Sequence, residues 1–237
     1  MAADLHTHIL PGIDDGSASV EQSLAMLREL ATQGIRYVVA TPHFYANHDA
    51  PERFLRRRQA ALERLMAADG RPDLDLRVGA EVHYFEGISD CDALDELTIS
   101  GTRCVLVEMP APPWSARMLQ ELHGIHQKRG ITPIVAHIDR YISPLRTYGI
   151  PQMLARCPVL VQANGSFFVR RSTRRMALRM LKDGKIHLLG SDCHNLSNRP
   201  PNLGRAVQII TRQLGPDALT AIEQMEERVL AGDFLCR

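Results

Sequence analysis

The chain has 237 residues, 28 Lys+Arg against 27 Asp+Glu for a formal net charge of +1, and 45% hydrophobic residues. That length can bury one barrel-sized core or two small ones, and the charge balance excludes a strong whole-molecule field toward nucleic acid or a membrane surface. Five cysteines, an odd number with no C-x-x-C pair, exclude a disulfide framework or a zinc ribbon.

The first predicted element is a strand over Ala3–His6, which runs into "DLHTHILPGIDDG". His6 and His8 lie two apart and so share one side of an extended chain, and a Pro-Gly turn then delivers Asp14 and Asp15. A helix is predicted over Ser19–Gln33, with Ser19 as N-cap, Gln22 completing a capping box and Gly34 ending it. The strand Arg36–Ala40 leads into "ATPHF" with His43, and the helix Pro51–Ala68 follows. The strand Leu76–Glu81 ends in "GAEVH", and Cys104–Glu108 ends in "LVEMP". The helix Trp114–Arg129 stops at Gly130, and the strand Pro133–His137 ends in "IVAHIDR", which carries His137 and Arg140. Beyond a helix over Ile150–Arg156, the strand Val159–Ala163 offers only the amides of "QANGS". The helix Ser172–Asp183 precedes the strand Ile186–Ser191, which runs into "LGSDCHN"; there Asp192 and His194 form a second same-side pair. Helices over Asn202–Gln213 and Pro216–Leu230 complete the series.

Seven strand-helix units with strands apolar along their length predict a parallel α/β barrel or a doubly wound sheet, in one domain over residues 1–237. In such folds the strand C-termini share one face, and sites are built there. His6, His8, Asp15, His43, Glu81, Glu108, His137, Asp192 and His194 all fall at or just past strand ends. Closure of the sheet would join the two same-side pairs. The carboxylates in this set would repel one another and resist burial without cations among them. Nine ligands exceed the roughly four of one tetrahedral zinc and fit two or three ions with bridging carboxylates. Imidazole and carboxylate without cysteine fit manganese, iron or zinc alike.

The stretches "DLHTHILPGIDDG", "ATPHF", "GAEVH", "LVEMP", "IVAHIDR" and "SDCHNLSNRPP" resemble, in order, the motifs of the PHP (polymerase and histidinol phosphatase) superfamily. The "HILPGIDDG" opening and the "NRPP" ending are most similar to its bacterial protein-tyrosine phosphatase branch, associated with capsule and exopolysaccharide synthesis. The resemblance spans Asp4 to Pro201 and implies a distorted parallel (β/α)₇ barrel with a trinuclear site. Carried over by motif, it implies His6, His8, Glu81 and Asp192 on a first ion. Glu81 would bridge to a second ion held also by Glu108 and His137, with Asp15, His43 and His194 on a third. The resemblance implies three divalent ions, manganese ahead of iron or zinc, with Arg140 and Arg199 on substrate phosphate. The implied reaction is hydrolysis of phosphotyrosine by metal-activated hydroxide. The implied partner is a phosphotyrosine protein, the tail of a bacterial tyrosine kinase. No nucleic-acid partner and no membrane span are expected, and with no signal-like start the expected location is the cytoplasm. Two departures stand out. The branch usually reads "AHPER" where this chain has Ile138 and Asp139, and Cys193 replaces a small residue.

The same residues admit rival readings. Cys193 to Arg199 has the C-x₅-R spacing of cysteine-nucleophile tyrosine phosphatases, but the loop lacks their glycines and Asp192 would blunt the thiol. An amidohydrolase-type barrel would share H-x-H without needing the acids of strands three and four. A PHP phosphatase acting on a small phosphomonoester such as histidinol phosphate is the alternative for substrate, and an idle regulatory PHP module is a further class. His123 and His126, three apart on a helix, read as a solvated face ahead of a metal-binding pair, and Trp114 reads equally as a core or rim residue or as a surface for a substrate ring. Arg170, Arg171, Arg174 and Arg175 read equally as a helix start or as an attractor for acidic tails. Cys91, Cys104, Cys157 and Cys236 carry no recognisable chemistry.

Overall fold

The computed structural model describes residues 3–234. In chain order its elements are β1 (Ala3–Thr7), α1 (Val20–Thr32), β2 (Tyr37–Ala40), β3 (His43–Phe44), α2 (Pro51–Met66), β4 (Asp75–Val78) and β5 (Glu81–His83). They continue with α3 (Leu94–Leu97), β6 (Cys104–Glu108), α4 (Ala116–Arg129), β7 (Thr132–Val135), α5 (Ile150–Leu154) and β8 (Leu160–Asn164). The last are α6 (Gly165–Val169), α7 (Arg171–Lys182), β9 (Leu188–Gly190), α8 (Leu203–Leu214) and α9 (Thr220–Leu230).

Every strand pairing is parallel. One sheet runs β1-β2-β4 and the other β3-β5-β6-β7-β8-β9. The predicted strand Arg36–Ala40 is β2, and β3 continues it beyond a break at Thr41-Pro42; the predicted strand Leu76–Glu81 is parted at Gly79-Ala80 into β4 and β5, which runs on to His83. Hydrogen bonds from Gly79 N–H to Ala40 O (2.8 Å) and Glu81 N–H to Pro42 O (3.0 Å) carry the ladder across both breaks. Seven strand positions therefore form one ring. Its seam is closed by a Thr7–Cys193 bridge, with Asp192 N–H on His6 O and His8 N–H on Cys193 O, both 2.9 Å. The expected doubly wound alternative falls away, because an open sheet would leave β1 and β9 apart.

The strands are buried almost throughout, as a barrel wrapped by helices requires. Leu5, Val39, Leu106, Ile134, Leu160 and Leu188 fill the lower lumen, and Val229 and Phe234 plug it from below. The larger cluster lies between the strands and the helices. Ser19 caps α1 as predicted, accepting from Gln22 N–H at 3.3 Å, while the Gln22 side chain accepts from Ala18 N–H rather than from the cap itself. Among the described residues no helix is long and apolar enough to cross a membrane.

Strand β1 is irregular in a way that aims the site. Between Asp4 and Thr7 it spends one more residue than β2, a bulge. Ala3 and Leu5 point into the lumen, and on a regular strand His6 and His8 would then point out toward the helices. The bulge turns the alternation over, so both histidines enter the barrel mouth. Asp4 supports it: its Oδ1 accepts from His6 N–H (3.3 Å) and, across the seam, from Ser191 N–H (2.9 Å). Gly190 leaves room for the result, since a Cβ there would stand 2.7 Å from both His6 Cβ and Gln162 Nε2.

Candidate metal centre

At the C-terminal mouth of the barrel the structure gathers all eleven residues that the sequence nominates. Glu81, at the head of β5 and 0% exposed, is the hub. Its Oε2 lies 3.3 Å from His6 Nε2, 3.2 Å from His8 Nε2 and 2.9 Å from His43 Nδ1. Its Oε1 lies 2.7 Å from His137 Nε2, which in turn is 3.4 Å from Glu108 Oε1. Asp192 Oδ1 stands 3.5 Å from both His6 Nε2 and His8 Nε2. On the outer side, Asp15 Oδ1 is 3.4 Å from His43 Nε2 and 3.4 Å from His194 Nε2.

These distances fit shared cations. Two ligand atoms bound to one ion at about 2.0–2.2 Å stand about 2.8–3.6 Å apart over octahedral to tetrahedral angles. His6 Nε2, His8 Nε2 and Glu81 Oε2 form such a triangle, the first two 3.2 Å apart. Despite its near neighbours, Glu81 Oε2 has no hydrogen bond of proper geometry, nor do the buried His43 Nδ1 and His194 Nε2. Atoms that converge in distance but not in donor-acceptor alignment suit a common centre better than one another. Three sets can each converge on one ion: His6, His8 and Glu81; His8, Asp15, His43 and His194; and His43, Glu81 and Glu108. The sets interleave through His8, His43 and Glu81, more tightly than the resemblance implied, in which Glu81 alone bridged two ions.

Three imidazoles are aimed by their other nitrogen. His8 Nδ1–H donates to Asp14 Oδ2 (2.7 Å), His6 Nδ1–H to Gln162 Oε1 (3.3 Å) and His194 Nδ1–H to the Asp192 carbonyl (3.0 Å). Each leaves Nε2 free toward the centre, the arrangement that fixes a metal-binding tautomer. Gln162 Oε1 also accepts from His137 N–H at 2.6 Å. His137 and Asp192 both adopt positive φ, 30° and 54°, strain that turns a side chain out of the strand alternation at a functional site. Asp14, Gln162 and His83, whose Nδ1 reaches Glu108 Oε2 at 3.1 Å, belong to the site and were not singled out as ligands. The adjacency of Asp14 to Asp15 was a usable signal; an amide on an otherwise silent strand was not.

The electrostatics are those of a cation site. Burial alone would lower the His8 pKa, but Asp14 and Glu81 outweigh it and push it up to about 10. Burial also opposes the charged form of His137, which Glu108 and Glu81 hold up at about 9. Against burial, the His137 and His83 hydrogen bonds keep Glu108 down at about 2. Two arginines lean over this charge. Arg140 donates to Glu108 Oε1 (3.0 Å) and Asp192 Oδ2 (2.5 Å), and Arg199 to Asp192 Oδ1 (2.6 Å).

A model of the capsular polysaccharide synthesis CpsB/CapC family matches residues 2–230. The chain belongs to the CpsB/CapC family. It is 32% identical over 232 residues to the tyrosine-protein phosphatase CpsB of Streptococcus pneumoniae, covering 90% of each chain. It is 26% identical over 248 residues to the tyrosine-protein phosphatase YwqE of Bacillus subtilis, covering 99% of this chain and 93% of that one. A solved structure from work on YwqE and CpsB, described as metal-dependent tyrosine phosphatases, superposes with a TM-score of 0.82 at 22% identity, covering 98% of this chain and 96% of that one. The CpsB/CapC fold is thus the barrel found here.

The remaining candidates resolve plainly. Cys193 is 0% exposed within the core of this CpsB/CapC member, and burial with nearby Asp4 pushes its thiol far above the usual range. It is no nucleophile. Cys193→Ser is expected to keep kcat within about twofold at a stability cost of about 1–2 kcal/mol; a trapped phosphocysteine in the parent protein would reverse this reading. Trp114 is buried, donates to Pro110 O (2.8 Å) and packs edge-on to Tyr141, so it is core. His123 and His126 join none of the three candidate ion sets. Arg174 is spent on the carbonyls of Phe168 and Val169. Cys236 lies outside the described residues.

Proposed function

We infer that this chain is a metal-dependent tyrosine-protein phosphatase of the CpsB/YwqE type, acting in capsule or exopolysaccharide synthesis on the phosphotyrosine tail of a bacterial tyrosine kinase. The observation that carries the reading is the Glu81-centred convergence of imidazoles and carboxylates, roofed by two arginines, in a member of this family. In this reading His6, His8, Glu81 and Asp192 hold one divalent ion and Glu81, Glu108 and His137 a second. Asp15, His43 and His194 hold a third, with manganese ahead of iron or zinc. When bound, such ions supply positive charge to the phosphoryl oxygens and acidify a coordinated water.

The protein's own residues do the rest. Asp14 and Gln162 keep His8 and His6 in the binding tautomer. Arg140 and Arg199 each retain unused N–H donors, which suit bidentate capture of a phosphate and neutralise its equatorial oxygens as the bond to the leaving group breaks. A tyrosine phenolate, whose parent pKa is about 10, leaves with less need of a proton than an alkoxide would. No side chain has to become phosphorylated.

The test is a side-by-side measurement of kcat/KM on phosphotyrosine peptides, phosphoserine peptides and histidinol phosphate. Phosphotyrosine is expected to lead both others by about tenfold or more. A lead for histidinol phosphate would move the protein to small phosphomonoesters.

A further inference from the structure

Beside the metal centre a cleft of about 520 Å³ opens from Asp15 and His43, past Tyr45, to Arg53 and Arg57. The phosphoryl group belongs at the metal centre, under Arg140 and Arg199, so this extension is room for something attached to it. We propose that it is a subsite for the polypeptide flanking the phosphotyrosine, and that Arg53 and Arg57 select an acidic residue there. The inference rests on the phosphatase reading and deepens it.

Tyr45 follows β3 directly and is a large ring left 38% exposed at the mouth. The rings of His43 and His83, at 5.4 and 5.3 Å, flank it and set its plane. An aromatic held this way offers a face to a substrate ring or backbone passing over the rim. Arg53 and Arg57 lie one helical turn apart in the first half of α2 and both pair with Asp49. Arg57 does so at 2.6 Å, and Arg53 also donates to His48 O at 3.0 Å. Asp49 is 11% exposed, whereas the two arginines are 60% and 49% exposed. One carboxylate thus fixes two guanidiniums, leaving a net positive charge with N–H donors turned to solvent.

The placement costs the helix something. α2 leaves the barrel mouth, so its positive end faces the cleft; Arg53 in the first turn opposes the macrodipole and repels Arg57 at i, i+4, which Glu52 and the shared Asp49 offset in part. An anionic visitor relieves both. The opposite wall carries Asp14 and Asp15, so the charge along the cleft is graded: acids beside the cations, arginines farther out. A phosphate is drawn to the first end, and a carboxylate side chain a few residues away along an extended chain is drawn to the second.

The test uses pairs of phosphotyrosine peptides that differ only by Glu or Gln at flanking positions, with p-nitrophenyl phosphate as a substrate that cannot reach the arginines. The parent protein is expected to prefer the Glu peptides by about tenfold in kcat/KM. In Arg53→Gln/Arg57→Gln that preference is expected to fall below about twofold while p-nitrophenyl phosphate turnover is kept. Arg53→Glu/Arg57→Glu, a second variant against misfolding of the first, is expected to favour Lys-flanked peptides. A parent enzyme that hydrolyses both members of each pair equally overturns the inference and leaves the phosphatase reading standing. So does an unchanged Glu preference in the double variant. A parent enzyme, loaded with manganese, that hydrolyses neither peptide nor p-nitrophenyl phosphate overturns both.

Discussion

Stripping divalent cations with a chelator is expected to reduce phosphatase turnover to background, and Mn²⁺ to restore it. Asp15, Glu81, Glu108 and Asp192 face one small volume, three of them largely buried, and their mutual repulsion must be balanced by positive charge. Protons and arginines can supply part of it: His8 and His137, with pKa values raised to about 10 and about 9, are protonated at neutral pH before an ion binds, and Arg140 and Arg199 close on Asp192. Cations must displace those protons. The sign follows: both imidazoles stay protonated from pH 6 to pH 8, and expelling their protons becomes easier as free protons grow scarcer, so Mn²⁺ affinity is expected to rise over that range with protons released on binding. Elemental analysis and turnover of the same chelated and reloaded samples check this. Full activity in protein shown to hold no transition metal would overturn it.

Glu81→Gln is expected to lower turnover by about three powers of ten or more, roughly 4 kcal/mol in the barrier. The exchange keeps the side chain's shape and so isolates its charge. Both Glu81 oxygens are committed, Oε2 among three imidazoles and Oε1 at His137, and surrounding imidazoles hold its carboxyl well below the usual range against the effect of burial. A neutral amide presents an N–H₂ where an ion needs a lone pair. Bound metal is therefore expected to fall together with kcat, while circular dichroism and thermal melting of the metal-free variant stay close to the parent. A variant with parental metal content and turnover would remove Glu81 from the hub.

The strand order, the face that carries the candidate site and the residues gathered there could be read in the sequence because they rest on local rules. H-x-H and D-x-H are same-side pairs whichever strand they sit on, and parallel strands present their C-termini together. What escaped depends on partners far along the chain. The β1 bulge exists only relative to β2, and without it the same-side rule would have aimed His6 and His8 at the helices. The splits at Thr41-Pro42 and Gly79-Ala80 arise where one strand serves two neighbours. Gln162 reads as an unremarkable strand amide until the barrel sets it beside His6 and His137. The short helices α3 and α6 are too brief for a periodic signal.

The seam between β1 and β9 has a bearing on how the protein is made. Asp4 and Ser191 are 187 positions apart, and the bond between them also holds the bulge that aims His6. Joining chain ends over such a separation carries a large loop-closure entropy and depends on the segments between them. During synthesis His6 and His8 emerge from the ribosome well before Asp192 and His194 are translated. Until β9 is made, a nascent chain lacks Asp192 and His194 and can offer metal only part of the ligand set. Complete loading must therefore wait until the last strand docks, and ion capture then secures the closure that made it possible.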